Sequence, residues 1–216
     1  MKVEFARQQM VEQQVRAWDV LDQHVLDVLS ETPRESFVPA DYSNLAFADT
    51  EISIGHGESM MTPTHEGRLI QALGLSPDDR VLEVGTGSGF VTACLAQLSQ
   101  SVVSIDIYDD FIDAARDKLE QAGIDNVELM TMDAMRELPE GPFDAIAVTG
   151  SVEKFDPRFV DALAPGGRLF IVVGESPAME ARLVTRSTEH EWQSESVFET
   201  DLKPLVNGAL PPQFAF

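Results

Sequence analysis

A glycine-rich stretch near the middle of the chain, VLEVGTGSGF, carries the clearest chemical signal in the sequence. Gly85, Gly87 and Gly89 leave the backbone open to a ligand, and the helical run after them would point its N-terminal amides at that ligand. Asp106 follows 21 residues after Gly85, at the end of the next apolar run. A carboxylate at that distance accepts hydrogen bonds from ribose hydroxyls in nucleotide-binding folds. The loop and the acid together predict a nucleoside site.

The spacing of the glycines distinguishes between kinds of nucleoside ligand. A dinucleotide turn usually reads G-x-G-x-x-G, whereas this loop reads G-x-G-x-G with Glu83 just before it. That carboxylate would repel a pyrophosphate and would suit a ligand with a positively charged amino group, such as S-adenosylmethionine. At later strand ends, Asp133 is placed to accept from an adenine amino group, and Thr149 opens onto the same edge. The predicted cofactor-binding residues are Glu83, Gly85, Thr86, Gly87, Ser88, Gly89, Asp106, Ile107, Asp133, Ala134 and Thr149.

A second candidate segment, HGESMMTP, is too polar for a buried strand and too apolar at its middle for an ordinary surface turn. We interpret it as the wall between the cofactor and a methyl acceptor. Ser59 is the candidate for orienting the acceptor and Thr62 is a second hydroxyl, although Thr62 would face away from Met61 if the segment is extended. The two methionines are individually more typical of gap-filling packing than of substrate contact. The predicted acceptor-binding residues are His56, Gly57, Glu58, Met60 and Met61.

Short apolar runs alternate with amphipathic ones along the rest of the chain, and this order predicts the fold. RVLEVG, VVSIDI, VELMTM, FDAIAVTG and RLFIVV have the pattern of buried strands, and helical spacing separates most of them. Such strands form parallel sheets that are covered on both faces. ARLVTRST and WQSESVFET alternate like antiparallel strands at an edge. The prediction is an α/β, Rossmann-like, doubly wound and mostly parallel seven-stranded sheet with helices on both faces.

An N-terminal helical cap is predicted before the sheet. MVEQQVRAW, HVLDVLSET and HEGRLIQALGL carry apolar residues at helical spacing, and RESFVP is interpreted as an irregular connector. We expect one domain over residues 1–216, with the cap and the substrate segment in 1–75 and the cofactor-binding sheet and C-terminal strands in 76–216. Phe214 and Phe216 suggest that the C-terminal tail packs on the body.

The composition narrows the partners and the compartment. The chain has 37 acidic residues against 15 Lys plus Arg, a net charge of −22, which disfavours nucleic acid and anionic membranes as partners. It contains no apolar run near the roughly 18 residues that a membrane span needs. Its one cysteine, Cys94, excludes an internal disulfide and a cysteine-based zinc site, and the histidines show no metal-ligand spacing. We expect a cytoplasmic protein without a metal, and the sequence leaves the oligomeric state open.

The quoted segments also resemble a known family. The run VLEVGTGSGFVTACLA, then SIDI, PFDAIAVTG and APGGRLFIVVG, is similar to S-adenosylmethionine-dependent methyltransferases with a seven-stranded sheet. PRESFVP, FADTEISIGHG and the late LKPLVNGAL are similar, more specifically, to protein-L-isoaspartate O-methyltransferase. The resemblance covers nearly the whole chain. It implies S-adenosyl-L-methionine as cofactor, S-adenosyl-L-homocysteine as product, a protein or peptide substrate and a role in protein repair.

The acceptor segment departs from that family. After IGHG the family typically reads Gln-Thr-Ile-Ser-Gln-Pro, and this chain reads ESMMTP, so Ser59 keeps a hydroxyl while Met61 replaces the second one. The usual Gly-Asp-Gly and Gly-Trp motifs are replaced by MDAMRELPEG. Glu58 adds a carboxylate that would repel a carboxylate acceptor and could instead bind a cation or act as a base.

Three functions therefore remain, in falling order. The first is O-methylation of an isoaspartyl-type carboxylate, which Ser59 and the family framework favour. The second is a methyltransferase of the same fold whose acceptor has changed to a small molecule or another peptide side chain, which Met61 and Glu58 favour. The third is a cofactor-binding interaction module without catalysis. A carboxylate acceptor is already ionised at pH 7, so the first function needs positioning and not a strong general base.

Overall fold

A seven-stranded sheet forms the centre of the computed structural model, which describes residues 2–208. In the sheet order β5-β4-β3-β6-β7-β8-β9, the glycine loop follows a central strand, and β1 and β2 form a separate hairpin. This confirms the predicted sheet. The strands are β1 (Ile52–Gly55), β2 (Glu58–Met60), β3 (Arg80–Val84), β4 (Ser101–Asp106), β5 (Val127–Thr131), β6 (Phe143–Val152), β7 (Leu163–Glu175), β8 (Ala178–Arg186) and β9 (Trp192–Thr200).

The direction of the strands follows the predicted division. β5, β4, β3, β6 and β7 are parallel to one another, which brings their carboxyl ends to one edge of the sheet. β7 pairs with β8, and β8 with β9, in antiparallel register. The two late alternating segments are therefore edge strands, as predicted. Functional side chains at the ends of β3, β4 and β6 are consequently neighbours.

Helices cover the sheet and precede it. A π-helical turn and a 3-10 turn extend the first helix as far as Trp18. The predicted irregular connector RESFVP contains one helical turn, Arg34–Phe37, because Arg34 and Phe37 are both anchored in the core. The α-helices are α1 (Lys2–Met10), α2 (Gln23–Glu31), α3 (Arg34–Phe37), α4 (Pro63–Leu73), α5 (Phe90–Leu98), α6 (Asp109–Gln121) and α7 (Arg158–Asp161).

Local residues set the bounds of α4, the helix that follows the hairpin. Pro63 occupies its first turn, where the missing amide proton costs nothing, and the Thr62 hydroxyl accepts a hydrogen bond from the backbone amide of His65 at 3.3 Å. Gly74 ends the helix in the left-handed conformation. The predicted helix and its predicted stop are both confirmed.

Two hydrophobic cores lie on the two faces of the sheet. Alternation along β3 sends Val81 into one core and Leu82 into the other. The first core contains residues of α2, α4 and α5, including the buried Cys94. The second core is covered by the four-residue helix α7 and by irregular chain around Met132 and Met135. The segment PRFVDAL contains this single helical turn.

A buried ion pair holds together the N-terminal part of the chain, residues 1–75. Arg34 is fully buried, and its guanidinium donates to both carboxylate oxygens of Glu66 at 3.0 Å. It also donates to the carbonyl oxygens of Ala46 and Met61 at 2.8 and 2.9 Å. One side chain therefore joins α3, α4 and the segment after the hairpin.

The acid pair Asp78 and Asp79 lies in the loop before β3. Asp79 forms an ion pair with Arg168 and accepts a hydrogen bond from the Ser76 amide. The packing of Phe214 and Phe216 lies outside the described residues. Within residues 2–208, none of the helices has the length and apolar character needed to cross a membrane.

Candidate functional site

A cavity opens at the carboxyl ends of the parallel strands, and its free space is about 980 Å³ when the open mouth is counted. The glycine loop, the β1–β2 hairpin and the segment 202–206 line it. Asp106 at the end of β4 and Thr149 in β6 also face it. Ligands in open α/β sheets bind at this edge, so the cavity is the candidate site.

Two close contacts make glycine necessary in the loop. Gly85 has φ of 97°, and a Cβ added there would lie 2.2 Å from the Thr149 hydroxyl oxygen. Gly89 has φ of 85°, and a Cβ there would lie 3.0 Å from the Ala115 Cβ. The Thr149 hydroxyl in turn donates to the Gly85 carbonyl at 2.7 Å. The loop is therefore packed between β6 and α6, and Gly89 serves this packing and does not line the cavity.

Asp106 faces the cavity and also holds the loop. Its Oδ2 accepts from the Gly87 amide at 2.9 Å, and its Oδ1 accepts from the Tyr108 amide at 3.0 Å. Burial raises the pKa of this carboxyl, and the bonds from the Gly87 and Tyr108 amides oppose that rise. Because the Gly87 amide is bound to Asp106, the loop does not present that amide to a phosphate. This agrees with a nucleoside ligand that has no pyrophosphate.

Glu83 lies beneath the loop and not in the cavity wall. It is fully buried, and its Oε2 accepts from the hydroxyls of Thr92 and Ser104, both at 2.5 Å. Burial raises the pKa of Glu83 to about 8. The predicted direct contact with an amino group is therefore corrected: Glu83 does not line the cavity, and its bonded partner Ser104 has its hydroxyl 2.6 Å from that of the cavity residue Thr86. Glu83 Oε1 has no hydrogen-bond partner within the described part of the chain.

The remaining predicted cofactor residues converge on the cavity. Asp133 Oδ1 accepts from the Met135 amide at 3.0 Å, and Oδ2 accepts from the Asn207 amide group at 2.9 Å. Arg136 adds an ion pair at 3.1 Å. Asp133 is thus held at the rim from two directions. The predicted residues that line the cavity here are Gly85, Thr86, Gly87, Ser88, Asp106, Ile107, Asp133, Ala134 and Thr149.

The hairpin supplies the other wall. Three residues of HGESMMTP, Glu58–Met60, form the half-buried strand β2, in which Ser59 pairs with Ser53 of β1. The Ser59 hydroxyl donates to Glu51 Oε2 at 2.9 Å, so its proton is already engaged. Met60 and Met61 are buried and line the cavity together with Glu58 and Ser59. Four of the seven hairpin candidates are therefore in the wall.

The other three candidates lie outside the wall. The Thr62 hydroxyl caps α4 and lies 2.8 Å from the Thr64 hydroxyl, so its predicted role as an acceptor hydroxyl is not supported. His56 sits at the hairpin turn with φ of 52°, stacks on Tyr108 and places Nε2 2.8 Å from Asp110. The hydrogen bond from His56 holds the pKa of the Asp110 carboxyl below its ordinary value. Gly57 accepts from Lys203 through its carbonyl oxygen.

A family model described as Protein-L-isoaspartate(D-aspartate) O-methyltransferase matches residues 5–209. The chain belongs to this family. It is 37% identical over 182 residues to the protein-L-isoaspartate O-methyltransferase of Methanoculleus marisnigri, with 83% of each chain covered. It is 35% identical over 201 residues to the one of Koribacter versatilis, covering 93% of this chain and 90% of that one.

The fold agrees with solved structures. A Plasmodium falciparum chain crystallised with S-adenosyl-L-homocysteine superposes with a TM-score of 0.78 at 22% identity, covering 92% of this chain and 97% of that one. At that identity the likeness concerns the fold. It supports the predicted seven-stranded sheet and N-terminal helices.

Compared with the pattern of the protein-L-isoaspartate O-methyltransferase family, the acceptor wall is apolar at one position. Met61 stands where the family pattern has a hydroxyl, and its side chain is buried. Its carbonyl oxygen accepts from Arg34, which fixes the backbone at that point. The Met61 side chain therefore contributes a buried apolar surface to the wall at a fixed position.

Sequence reasoning missed several residues of this family member's cavity. Glu51, Tyr108, Phe111, Lys203 and Leu205 all line it. Burial raises the pKa of Glu58, and among the charges around it Lys203 lowers that pKa while Asp106 raises it. The five residues that were missed lie in segments without a local sequence pattern that indicates a site. Family resemblance in LKPLVNGAL was the one available pointer to Lys203 and Leu205.

No group of His, Cys, Asp and Glu that could hold a metal ion occurs in the part of the chain that the structure describes. Cys94 is fully buried, and burial raises the pKa of its thiol. The thiol therefore packs in the core as a small apolar side chain.

Proposed function

We propose that this protein is an S-adenosylmethionine-dependent protein-L-isoaspartate O-methyltransferase that methylates an isoaspartyl-type carboxylate in proteins or peptides. The supporting observation is that one cavity is lined by the nucleoside residues Asp106 and Asp133 and by the acceptor residue Ser59. Family membership favours this acceptor over a changed one and over a non-catalytic module.

The residues present fit S-adenosylmethionine. In this proposal Asp106 accepts from the ribose hydroxyls, and Asp133 with Ala134 borders the adenine. Gly85 and Thr86 border the amino acid portion, where the absence of a side chain at Gly85 permits close approach. When bound, S-adenosylmethionine supplies a methyl carbon on a positively charged sulfur.

The acceptor end works by positioning. An isoaspartyl carboxylate is ionised at neutral pH, so no side chain has to remove a proton from it. The carboxylate can replace Glu51 as acceptor of the Ser59 hydrogen bond, which holds it in one orientation. The buried thioethers of Met60 and Met61 exclude water from the path of transfer. The chain therefore contributes to the rate by orienting the acceptor and by excluding water.

The proposal also covers the partner, the biological role and the cellular location of the protein. A protein or peptide partner, a role in repair of damaged proteins and a cytoplasmic location are supported by family membership. The division into a cap and substrate segment at 1–75 and a sheet at 76–216 stays a prediction. The exclusion of nucleic acid and membrane as partners also stays a prediction, supported by the net charge of −22.

The test is transfer of labelled methyl from S-adenosylmethionine to an isoaspartyl peptide, with the same peptide carrying normal aspartate as the control. Cofactor binding is measured by calorimetry on the same sample. Selective, base-labile labelling of the isoaspartyl peptide is the expected result. Tight cofactor binding without labelling would refute the proposed acceptor and keep the cofactor, whereas absent cofactor binding would refute the enzyme class.

A further inference from the structure

The charges that line the cavity are unbalanced. Its acidic side chains are those of Glu51, Glu58, Glu66, Asp106 and Asp133. Because Glu66 and Asp133 form ion pairs with Arg34 and Arg136, the negative field comes mainly from Glu51, Glu58 and Asp106. Lys203 is the only Lys or Arg that lines it among residues 2–208. An acceptor that carries a carboxylate must enter this negative field. Lys203 is the side chain in the described cavity wall whose charge would attract it.

The backbone of Lys203 is fixed at the rim. The Ser151 hydroxyl donates to the Leu202 carbonyl at 2.7 Å, and the Ser151 amide donates to the Lys203 carbonyl at 2.8 Å. The Leu205 amide donates back to the Ser151 carbonyl at 2.8 Å. These bonds fix the backbone on both sides of Lys203 to the end of β6, and the lysine side chain extends from this fixed segment.

The side chain crosses the mouth of the cavity to the hairpin. Lys203 Nζ donates to the carbonyl oxygen of Gly57, which lies two residues before Ser59, or about 7 Å along an extended strand. An ammonium group has three N–H donors, and this bond uses one. Burial raises the pKa of the intervening Glu58 carboxyl, and the charge of Lys203 opposes that rise, so the ammonium group acts on the acceptor wall.

We propose that Lys203 binds the carboxylate of the acceptor beside Ser59 and supplies a second hydrogen-bond donor there. The inference rests on the proposed function. A positively charged donor both attracts the acceptor into the acidic cavity and holds its non-attacking oxygen. The Gly57 carbonyl keeps the ammonium at the mouth before the acceptor arrives.

Three variants and two readouts test this role. Lys203→Ala removes the cation, Lys203→Arg keeps it, and Lys154→Ala removes an exposed lysine that is not part of the cavity wall. Kinetics with the isoaspartyl peptide give KM and kcat at low and high salt, and calorimetry gives the Kd for S-adenosyl-L-homocysteine. We expect Lys203→Ala to raise the acceptor KM roughly tenfold or more, because bonds to charged groups are the stronger ones. Lys203→Arg should recover most of the loss.

Salt separates an electrostatic role from a merely structural one. Salt screens the repulsion from the cavity acids in all three proteins, whereas it screens an attraction to Lys203 only in the native protein and in Lys154→Ala. With rising ionic strength, the acceptor KM of those two proteins should therefore increase relative to that of Lys203→Ala. An unchanged acceptor KM in Lys203→Ala, or an equal salt response, would refute the role of Lys203 while leaving the proposed function intact. Failure of the native protein to label or bind the isoaspartyl peptide would refute both.

Discussion

The hydroxyl of Ser59 donates a hydrogen bond to the carboxylate of Glu51 across the β1–β2 hairpin, at 2.9 Å. Both residues line the cavity. The candidate acceptor-orienting hydroxyl is therefore already committed to an acid of the protein itself. Any acceptor carboxylate competes with Glu51 for that proton, which gives the two residues opposite expected effects on acceptor binding.

Ser59→Ala should lower kcat/KM for the isoaspartyl peptide at least tenfold, since a hydrogen bond to a charged group contributes roughly 1.5 to 3 kcal/mol. The Kd for S-adenosyl-L-homocysteine should not change, because the cofactor end is formed by other residues. Steady-state kinetics and calorimetry measure the two quantities. Unaltered kinetics would remove Ser59 from the site.

Thr62→Ala is the matched control on the same segment. Its hydroxyl caps α4 and does not line the cavity. We expect a loss of about 1 kcal/mol in the free energy of unfolding and an unchanged kcat/KM. Urea denaturation gives the first value. A kinetic loss comparable to that of Ser59→Ala, at equal stability, would restore Thr62 as an acceptor residue.

Glu51→Ala should act in the opposite direction from Ser59→Ala. Removing the competing carboxylate frees the hydroxyl proton and takes one negative charge from the cavity. The acceptor KM should fall by about two- to tenfold, the range that a net hydrogen bond contributes. The double variant with Ser59→Ala should lose this gain. A raised KM in Glu51→Ala would show that Glu51 supports the acceptor instead of competing with it.

Removing one partner of the buried pair of Arg34 and Glu66 should cost more stability than replacing both partners with apolar residues. Arg34→Met alone leaves an uncompensated carboxylate, and we expect a loss of about 3 to 5 kcal/mol in the free energy of unfolding. Arg34→Met with Glu66→Leu should be more stable than either single variant. It should still have a lower kcat/KM, because the Met61 carbonyl has lost its donor. Denaturation curves and kinetics on one preparation test this, and full activity in a stable double variant would contradict it.

Asp106 should control cofactor affinity. Asp106→Ala removes the proposed ribose acceptor and releases the Gly87 and Tyr108 amides, so the Kd for S-adenosyl-L-homocysteine should rise roughly tenfold or more. Asp106→Asn keeps one oxygen and should fall between. Calorimetry measures both. An unchanged Kd in a folded Asp106→Ala variant would exclude the ribose role.

The raised pKa of Glu83 leads us to expect that the stability of the protein depends on pH. Its pKa in the folded protein is about 8 against an ordinary 4.5, so the folded state keeps a proton that the unfolded chain loses. Its contribution to stability is complete below about pH 4.5 and is lost as pH rises through about 8, at up to about 1.4 kcal/mol per pH unit. Glu83→Gln does not titrate. Its stability relative to the native protein should therefore rise between about pH 5 and about pH 8, and a flat difference would show that Glu83 is ionised throughout.

The sequence determined the sheet and the cofactor end of the cavity. Runs of consecutive apolar residues identify buried strands such as Arg80–Val84 because both faces of a parallel sheet are covered. The glycine spacing and Asp106 come from one strand-turn-helix-strand unit, so their relationship is visible in a short stretch of chain. Parallel strands then bring Asp106, Asp133 and Thr149 to one edge without further information.

The acceptor end was decided by contacts between distant segments. Lys203 reaches Gly57 across 146 residues of sequence, and no local pattern predicts that bond. The hairpin register, and not the residue types, pairs Ser59 with Ser53 and brings its hydroxyl within hydrogen-bond distance of Glu51. The Thr62 hydroxyl instead caps a helix. Burial then changes the chemistry of Glu83, which the sequence placed beside the ligand. Local periodicity thus determines elements and their ends, whereas hydrogen-bond partners and desolvation depend on which segments the folded chain brings together.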